Sequence, residues 1–481
     1  MFFRQLYDEK LAAASYLIGC QKSGDAIVFD PQRDIDRYEK LAAANGLRII
    51  AAAETHIHAD FISGAREFAH KGVKIFVSDE GGADWKSEWL ARTLDGDSYA
   101  HQLLKDGDIF RIGGIEFAVI HTPGHTPEHI CYTVTDLGGG ASKPMGVLTG
   151  DFIFVGDLGR PDLLESATGF AGKALPSAQK LFQSVKKFLS WSDYLQVWPA
   201  HGAGSACGKA LGAVPQSTVG YEKLFNPAIL AATDEAAFTA YILEGQPEPP
   251  LYFAQMKRVN KIGPRVLNGV PHPRKLSIEA MHTVVQKRGL VIDTRAWAAF
   301  KTSHIPASLY LPLTNSFNTD AGSFVRDTDV IHLVVEPSFV DEAVRNLIRI
   351  GLDRFCGWFD ANAINAFAAY ESTHEGGLTP TPEVSVDDAR TLLDQGSVFA
   401  LDVRRAGEFQ TGHIPGAVNI AHTRLLDHLA ELPKDRMILV NCHSGGRSAR
   451  ACSLLQRHGF DVCNLAGGMT AWKQSSEPVA H

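Results

Sequence analysis

The chain has 481 residues, 45% of them hydrophobic and 21% charged, a globular composition too long for one core of roughly 250 residues, so two or three domains are expected. The net charge of -8 comes without runs of Lys or Arg, which disfavours a nucleic-acid partner, and no apolar stretch approaches the ~20 residues that cross a bilayer, so no membrane partner is expected. Seven cysteines, odd in number and lacking a Cys-x-x-Cys pair, fit neither a disulfide framework nor a zinc knuckle and suit a reducing cytoplasm.

Leu11 to Cys20 alternates as a strand rather than forming a signal-peptide core. Ala26 to Phe29 and Phe117 to Ile120 read as short strands, and Asp34 to Asn45 as an amphipathic helix closed by Gly46. Layered α and β structure follows for the first piece of the chain. Four turns in this piece leave predicted strands: Thr55-His56-Ile57-His58-Ala59-Asp60-Phe61, His121-Thr122-Pro123-Gly124-His125-Thr126, Leu148-Thr149-Gly150-Asp151 and Trp198-Pro199-Ala200-His201-Gly202. Turns leaving one edge of a β scaffold can converge, which is how ligands distant in sequence meet around an ion. The benzene ring of Phe61 offers such an ion no donor. His101, His121 and His129 are isolated at strand ends and are read as structural.

Two segments, Glu244-Gly245-Gln246-Pro247-Glu248-Pro249-Pro250 and Glu375-Gly376-Gly377-Leu378-Thr379-Pro380-Thr381-Pro382, mix rigid and permissive residues. They divide the chain into 1–245, 251–374 and 383–481. The second and third pieces read as copies of one unit. Asp293-Thr294-Arg295 lies eleven residues before His304-Ile305-Pro306-Ala307, and Asp402-Val403-Arg404 eleven before His413-Ile414-Pro415-Gly416-Ala417. Each copy then has an apolar strand, His332 to Val335 or Met437 to Val440, and a helix ending near Gly351 or Gly459, so α/β domains with parallel sheets are expected.

In the third piece, Cys442-His443-Ser444-Gly445-Gly446-Arg447-Ser448 joins a strand to a helix. Such a loop turns its N–H groups inward, which favours negative charge at its centre and makes Cys442 a nucleophile, with Arg447 adding fixed positive charge. Aligning the strands puts Glu336 opposite Cys442, so the middle copy lacks the nucleophile. It also spans fifteen residues from there to its helix-ending glycine, against seventeen. Cys356 is expected to be a buried thiol, and Cys452 and Cys463 to be packing residues.

The four turns of the first piece together resemble the metallo-β-lactamase superfamily, whose pattern is His-x-His-x-Asp-His, then a His, an Asp and a final His. That resemblance implies an αββα sandwich followed here by two α/β domains. Within the superfamily, His56, His125 and Asp151 look like the iron ligands of the persulfide dioxygenase branch, as does Gly159-Arg160-Pro161-Asp162. One Fe(II) per chain is implied, in a facial triad with one side open to substrate sulfur and O2. Phe61 stands where the superfamily often has histidine. This weakens the alternative, a dinuclear-zinc thioester hydrolase like glyoxalase II, which would recruit Asp60, His201 and a bridging Asp151. His58, Asp60 and His201 are therefore expected to orient ligands or meet substrate, and Arg160 to be either a scaffold ion-pair partner or a substrate contact.

The third piece resembles a single-domain rhodanese through Asp402-Val403-Arg404, Gly412 to Ala417, the Cys442 loop and Leu465-Ala466-Gly467-Gly468-Met469-Thr470-Ala471-Trp472. A cysteine phosphatase would place five residues between its Cys and Arg, whereas four stand here. The loop residues His443, Ser444, Gly445, Gly446 and Ser448 would then cradle a sulfane sulfur on Cys442. The joint expectation is a persulfide dioxygenase that oxidises a low-molecular-weight thiol persulfide to sulfite, fused to a sulfurtransferase that makes or uses thiosulfate. The middle copy would be an inactive homologue. The partners expected are the thiol persulfide, O2, sulfite and thiosulfate, and the related dioxygenases suggest self-association into a homo-oligomer.

Overall fold

Six strands, β1 (Phe2–Asp8), β2 (Ala13–Cys20), β3 (Asp25–Phe29), β4 (Arg48–Ala53), β5 (Lys74–Ser78) and β6 (His101–Leu104), pair in chain order. The sheet is antiparallel through β3 and parallel from β3 to β6. A second sheet takes β7 (Ile109–Ile112), β8 (Ile115–His121), β9 (Ile130–Asp136) and β10 (Gly146–Gly150). After the hairpin β11 (Ile153–Phe154) and β12 (Asp157–Leu158), it adds β13 (Gln196–Pro199) and β14 (Ser217–Thr218), in the order β14-β13-β10-β9-β8-β7. The computed structural model describes residues 1–91, 93–166, 172–374 and 377–481; Glu375 and Gly376 of the expected linker lie outside them.

The two sheets face each other. Tyr16, Ile18, Phe29 and Phe76 of the first meet Phe110, Phe117, Tyr132, Leu148 and Trp198 of the second, each worth roughly 1.5–3 kcal/mol on leaving water. On the outer face of the first sheet lie Tyr38 and Phe68, from the helices Asp36–Ala44 and Ala65–His70. Leu181, Val185 and Phe188 of the helix Ala174–Leu189 cover the second. The layers are therefore αββα. β2 is buried at every position, as a strand covered on both faces is.

The chain divides into two compact units, residues 1–270 with 348–351, and residues 271–347 with 352–481. The first continues past the Pro-rich segment through the helix Tyr252–Ile262. The second contains two parallel sheets. One has the order β16-β15-β17-β18, from β15 (Leu290–Asp293), β16 (Leu309–Tyr310), β17 (Ile331–Val335) and β18 (Phe355–Asp360). The other has the order β19-β23-β22-β20-β21, from β19 (Glu383–Val384), β20 (Val398–Asp402), β21 (Val418–Asn419), β22 (Met437–Asn441) and β23 (Val462–Leu465). Apart from β19, the two orders are the same, so the duplication reaches the topology.

The repeated motifs prove to be clasps. Arg295 Nη2 lies 2.7 Å from Asp293 Oδ2 and donates to the Ser303 carbonyl, and Arg404 Nη2 lies 2.6 Å from Asp402 Oδ2 and donates to the Gly412 carbonyl. His304 stacks on Phe300 at 3.9 Å, and His413 on Phe409 at 3.7 Å. One expectation is corrected: Cys356 is exposed, not buried, because β18 is an edge strand on which it points away from the Gly357 and Phe359 face. Among the described residues no helix is long and apolar enough to cross a membrane.

Candidate functional site

β4, β8, β10 and β13 deliver the four predicted turns to one place. Tyr132 Oη donates to the Glu54 carbonyl (2.7 Å), the Ile130 N–H to the Thr55 carbonyl (2.9 Å) and the Ala14 N–H to the Ala200 carbonyl (2.7 Å), tying the turns across the sheets. Donor atoms of His56, His125 and Asp151 all lie within 4.8 Å of one another. Asp151 Oδ2 is 3.4 Å from His125 Nε2 and 4.0 Å from His56 Nε2. Two donors each about 2.1 Å from an ion stand roughly 3 Å apart at right angles, so a small contraction would seat a cation.

The hydrogen bonds around these three prepare their lone pairs. Thr55 Oγ1 donates to Asp30 Oδ2 (2.9 Å), so it accepts from His56 Nδ1 (2.9 Å) and leaves Nε2 as a bare acceptor. His125 Nδ1 donates to the Arg160 carbonyl (3.1 Å), with the same result. Burial, reinforced by neighbouring imidazoles, holds both rings well below the ordinary histidine pKa and keeps them neutral. Asp151 is 1% exposed, and neither carboxylate oxygen has a hydrogen-bond partner among the described residues. An unsatisfied buried carboxylate costs more than the ~1–3 kcal/mol of a neutral group, and a cation would remove that cost. The donor set thus fits a metal.

His129, read from sequence as structural, supports this cluster directly. It is fully buried, and its Nε2 accepts the Asp151 N–H at 3.0 Å while Nδ1 bonds Thr122 Oγ1. Gly159 also has a local reason: a Cβ there would stand 1.7 Å from the Asp151 carbonyl oxygen. The Arg160 guanidinium is held by Asp162 (2.6 and 2.9 Å) and the Ala206 carbonyl (3.1 Å), so it is a scaffold ion-pair partner that reaches the cluster through its own carbonyl.

His58 is turned away from the three. Its Nε2 lies between Glu54 Oε2 (3.0 Å) and Asp30 Oδ1 (3.1 Å), and its ring stacks on Phe61 at 4.4 Å. Asp60 and His201 form a second group with Cys207, a donor that no motif in the sequence marks. His201 Nδ1 donates to the Ala12 carbonyl (2.9 Å), so its Nε2 faces Asp60 Oδ2 at 3.3 Å and Asp151 Oδ1 at 3.4 Å.

The sulfur loop lies between β22 and the helix Gly446–Arg457. Cys442 is 1% exposed, with the Gly445 N–H 3.1 Å and Ser448 Oγ 3.4 Å from its Sγ, while His443, Ser444 and Gly446 are exposed at the mouth. The Gly467-Gly468 turn lies beneath, where a Cβ on Gly468 (φ 55°) would meet the Cys442 carbonyl at 2.4 Å. Cys452 and Cys463 are fully buried. Arg447 is paired through both nitrogens with Glu408, each at 2.7 Å. Sequence reasoning missed Glu408. Its only signal was a place at the start of a short helix after the Asp-x-Arg clasp.

The Arg447 hydrogen bonds hold Glu408 down to about 2, against partial burial. The pair's contribution is therefore complete above the ordinary glutamate range near 4.5 and is lost only as pH falls towards about 2. Glu408→Gln leaves the Arg447 charge uncompensated. It is expected to lower the KM for thiosulfate about threefold at low ionic strength, with the gain vanishing in high salt. A KM insensitive to both would remove Arg447 from the substrate's surroundings.

In the middle copy the corresponding crevice is a cavity of about 320 Å³ lined by Thr294, Arg295, Glu336, Phe339 and Glu342.

Residues 9–192 match the metallo-beta-lactamase superfamily, and residues 385–475 match the rhodanese-like domain. A metallo-beta-lactamase structure from Staphylococcus aureus is 38% identical, with a TM-score of 0.65, covering 75% of this chain and 98% of that one. This chain belongs to the metallo-beta-lactamase superfamily, with a rhodanese-like domain fused to it. The superfamily domain is also similar to the mitochondrial persulfide dioxygenase ETHE1 of Bos taurus, 26% identical over 243 residues, which are 49% of this chain and 78% of that protein. The rhodanese-like domain is similar to a sulfurtransferase of Allochromatium vinosum, 35% identical over 92 residues, 19% of this chain and 86% of the relative.

Proposed function

We propose that the superfamily domain is a persulfide dioxygenase whose one ferrous ion is held by His56, His125 and Asp151, and that the rhodanese-like domain exchanges sulfane sulfur with sulfite or thiosulfate. The observation that carries this is the buried triad of two neutral imidazoles and a carboxylate with no hydrogen-bond partner among the described residues, beside which Phe61 supplies no donor. Bound iron would supply open positions where O2 oxidises the terminal sulfur of a thiol persulfide. Overall, R–S–SH, O2 and H2O give R–SH and sulfurous acid. The protein's part is positional. Thr55, the Arg160 carbonyl and His129 fix the ligand orientations, and the αββα core keeps bulk water from the buried face.

At the second site the Cys442 thiolate attacks the outer sulfur of a persulfide. The S–S bond breaks, the carrier thiolate leaves and takes a proton, and the sulfane sulfur stays on Cys442. Sulfite then attacks that sulfur through its own lone pair, giving thiosulfate and restoring the thiolate. The N–H of Gly445 and the hydroxyl of Ser448 stabilise the sulfur anion at each stage.

One observation favours a two-metal hydrolase instead: the Asp60, His201 and Cys207 donors beside Asp151. The two are separated by oxygen stoichiometry. With glutathione persulfide in an oxygen electrode, one O2 consumed per sulfite formed is expected, and none of this product under argon. Equal turnover under argon would exclude the dioxygenase.

A further inference from the structure

The helix Gly446–Arg457, whose first turn lies beside Cys442, is seated along its length on the middle copy, and both belong to the second unit. Ala449 packs against Phe300 and Tyr310. Ser453 Oγ accepts the Tyr310 N–H (2.9 Å), and Arg457 Nη1 donates to the Ala307 carbonyl (2.9 Å). The copy without a nucleophile thus supports the helix that carries the other copy's sulfur loop.

At the loop end of this contact stands Arg450, 8% exposed. Its Nε lies 2.7 Å from Asp320 Oδ2, and its Nη2 donates to Thr314 Oγ1 (3.1 Å) and Ser316 Oγ (3.2 Å). All three partners belong to the middle copy. Asp320 is itself 1% exposed and is fixed from two sides, Oδ2 by Ser316 Oγ (2.8 Å) and Oδ1 by His422 Nε2 (3.0 Å). Arg450 Nη1 makes no hydrogen bond among the described residues and faces exposed Gly446. A Cβ added to that glycine would stand 3.5 Å from Nη1 and, its chain neighbours aside, meet nothing else within 4 Å among the described residues. A fixed guanidinium edge therefore borders open space at the mouth of the sulfur loop, whereas Arg447 gives both terminal nitrogens to Glu408.

We propose that Arg450 Nη1 binds an oxygen of sulfite, or of the sulfonate end of thiosulfate, while the reacting sulfur meets Cys442, and that Asp320, Thr314 and Ser316 of the middle copy are positioning residues that aim it. A guanidinium already held through Nε and Nη2 loses little side-chain freedom in making this charge-assisted bond. In the transfer the sulfite lone pair forms the new S–S bond, the bond from the sulfane sulfur to Cys442 breaks, and its electron pair returns to the cysteine thiolate. Arg450 holds the oxyanion and exchanges no proton. An uncharged thiol acceptor gains nothing from Nη1, so the middle copy confers selectivity for oxyanions. This rests on the sulfite and thiosulfate exchange proposed for the loop, while the anion site can be tested without any transfer.

In the test, Cys442 of the full chain is loaded with sulfane sulfur from polysulfide, and its discharge to sulfite or to uncharged dithiothreitol is followed at the Cys442 peptide by mass spectrometry. Asp320→Asn combined with Arg450→Gln removes both charges together, so neither is left buried alone. In this variant the sulfite rate is expected to fall at least about tenfold more than the dithiothreitol rate. Thr314→Val with Ser316→Ala keeps the ion pair and removes only the aiming bonds, with a selective loss of about threefold expected. Equal falls in both rates, or an undiminished sulfite rate, would overturn the proposal. Sulfate, which has the oxyanion but no lone pair on sulfur, is read separately as protection of Cys442 from iodoacetamide. Half-protection should need about tenfold more sulfate in the charge-free variant than in the unaltered chain. Equal protection of the two, including none in either, would overturn the anion site. Discharge of the unaltered chain by dithiothreitol but not by sulfite would reject sulfite as acceptor, and sulfate protection lost in the variant would then still keep the anion site.

Discussion

Asp151→Asn is expected to abolish persulfide-dependent oxygen uptake, by more than about a thousandfold, and to empty the metal site. Asparagine keeps the size of the side chain, and the bond to His129 Nε2 is donated by the backbone N–H of residue 151, so the loop should stay in place. What disappears is the one anionic donor of the triad. The metal-free protein should become more stable, because a buried carboxylate without hydrogen-bond partners among the described residues is replaced by a neutral group. A gain of roughly 1 kcal/mol corresponds to about 2–4 °C in Tm for a unit of this size. Thiosulfate sulfurtransfer, measured on the same sample, should change less than about twofold. Retained metal with full oxygen uptake would take Asp151 out of the ligand set.

Cys442→Ser should produce the converse. Sulfur transfer between thiosulfate and an acceptor is expected to fall more than about a thousandfold, because a serine hydroxyl neither ionises near neutral pH nor accepts a sulfane sulfur. The substitution is nearly isosteric at a 1% exposed position, so the loop should keep its form. Oxygen uptake at the metal site should stay within about twofold. If it fell in parallel, persulfide would have to reach the metal by way of Cys442, and the two sites would form one relay.

Most of what was legible in the sequence was local. The ligand-bearing turns each follow a strand with a clear apolar pattern, so short motifs and a topological rule placed them together. The duplication was visible for the same reason, since Asp-x-Arg and His-Ile-Pro clasp their own neighbourhood. Residues that act across the fold carried no such signal. Cys207 approaches Asp60 from a loop far along the chain. Asn260 lies on a helix that follows a Pro-rich segment, and prolines there read as a boundary although the helix packs back on the first unit, where Asn260 Nδ2 donates to the His58 carbonyl. Cys356 was expected inside because isolated cysteines usually are, but burial at an edge strand is set by which neighbours the sheet has. The Arg447 side chain was expected to serve the cradle, and Glu408, an acid on another element, takes its guanidinium.

The central claim is a single ferrous ion on His56, His125 and Asp151. Anaerobic reconstitution of the metal-free chain with Fe(II) and, separately, with Zn(II), followed by elemental analysis and an oxygen-electrode assay with glutathione persulfide, tests it directly. One iron per chain, with oxygen uptake by the iron form alone, is the expected result. Two zinc ions per chain with turnover in the absence of oxygen would contradict it and point to the Asp60, His201 and Cys207 donors as a second metal position.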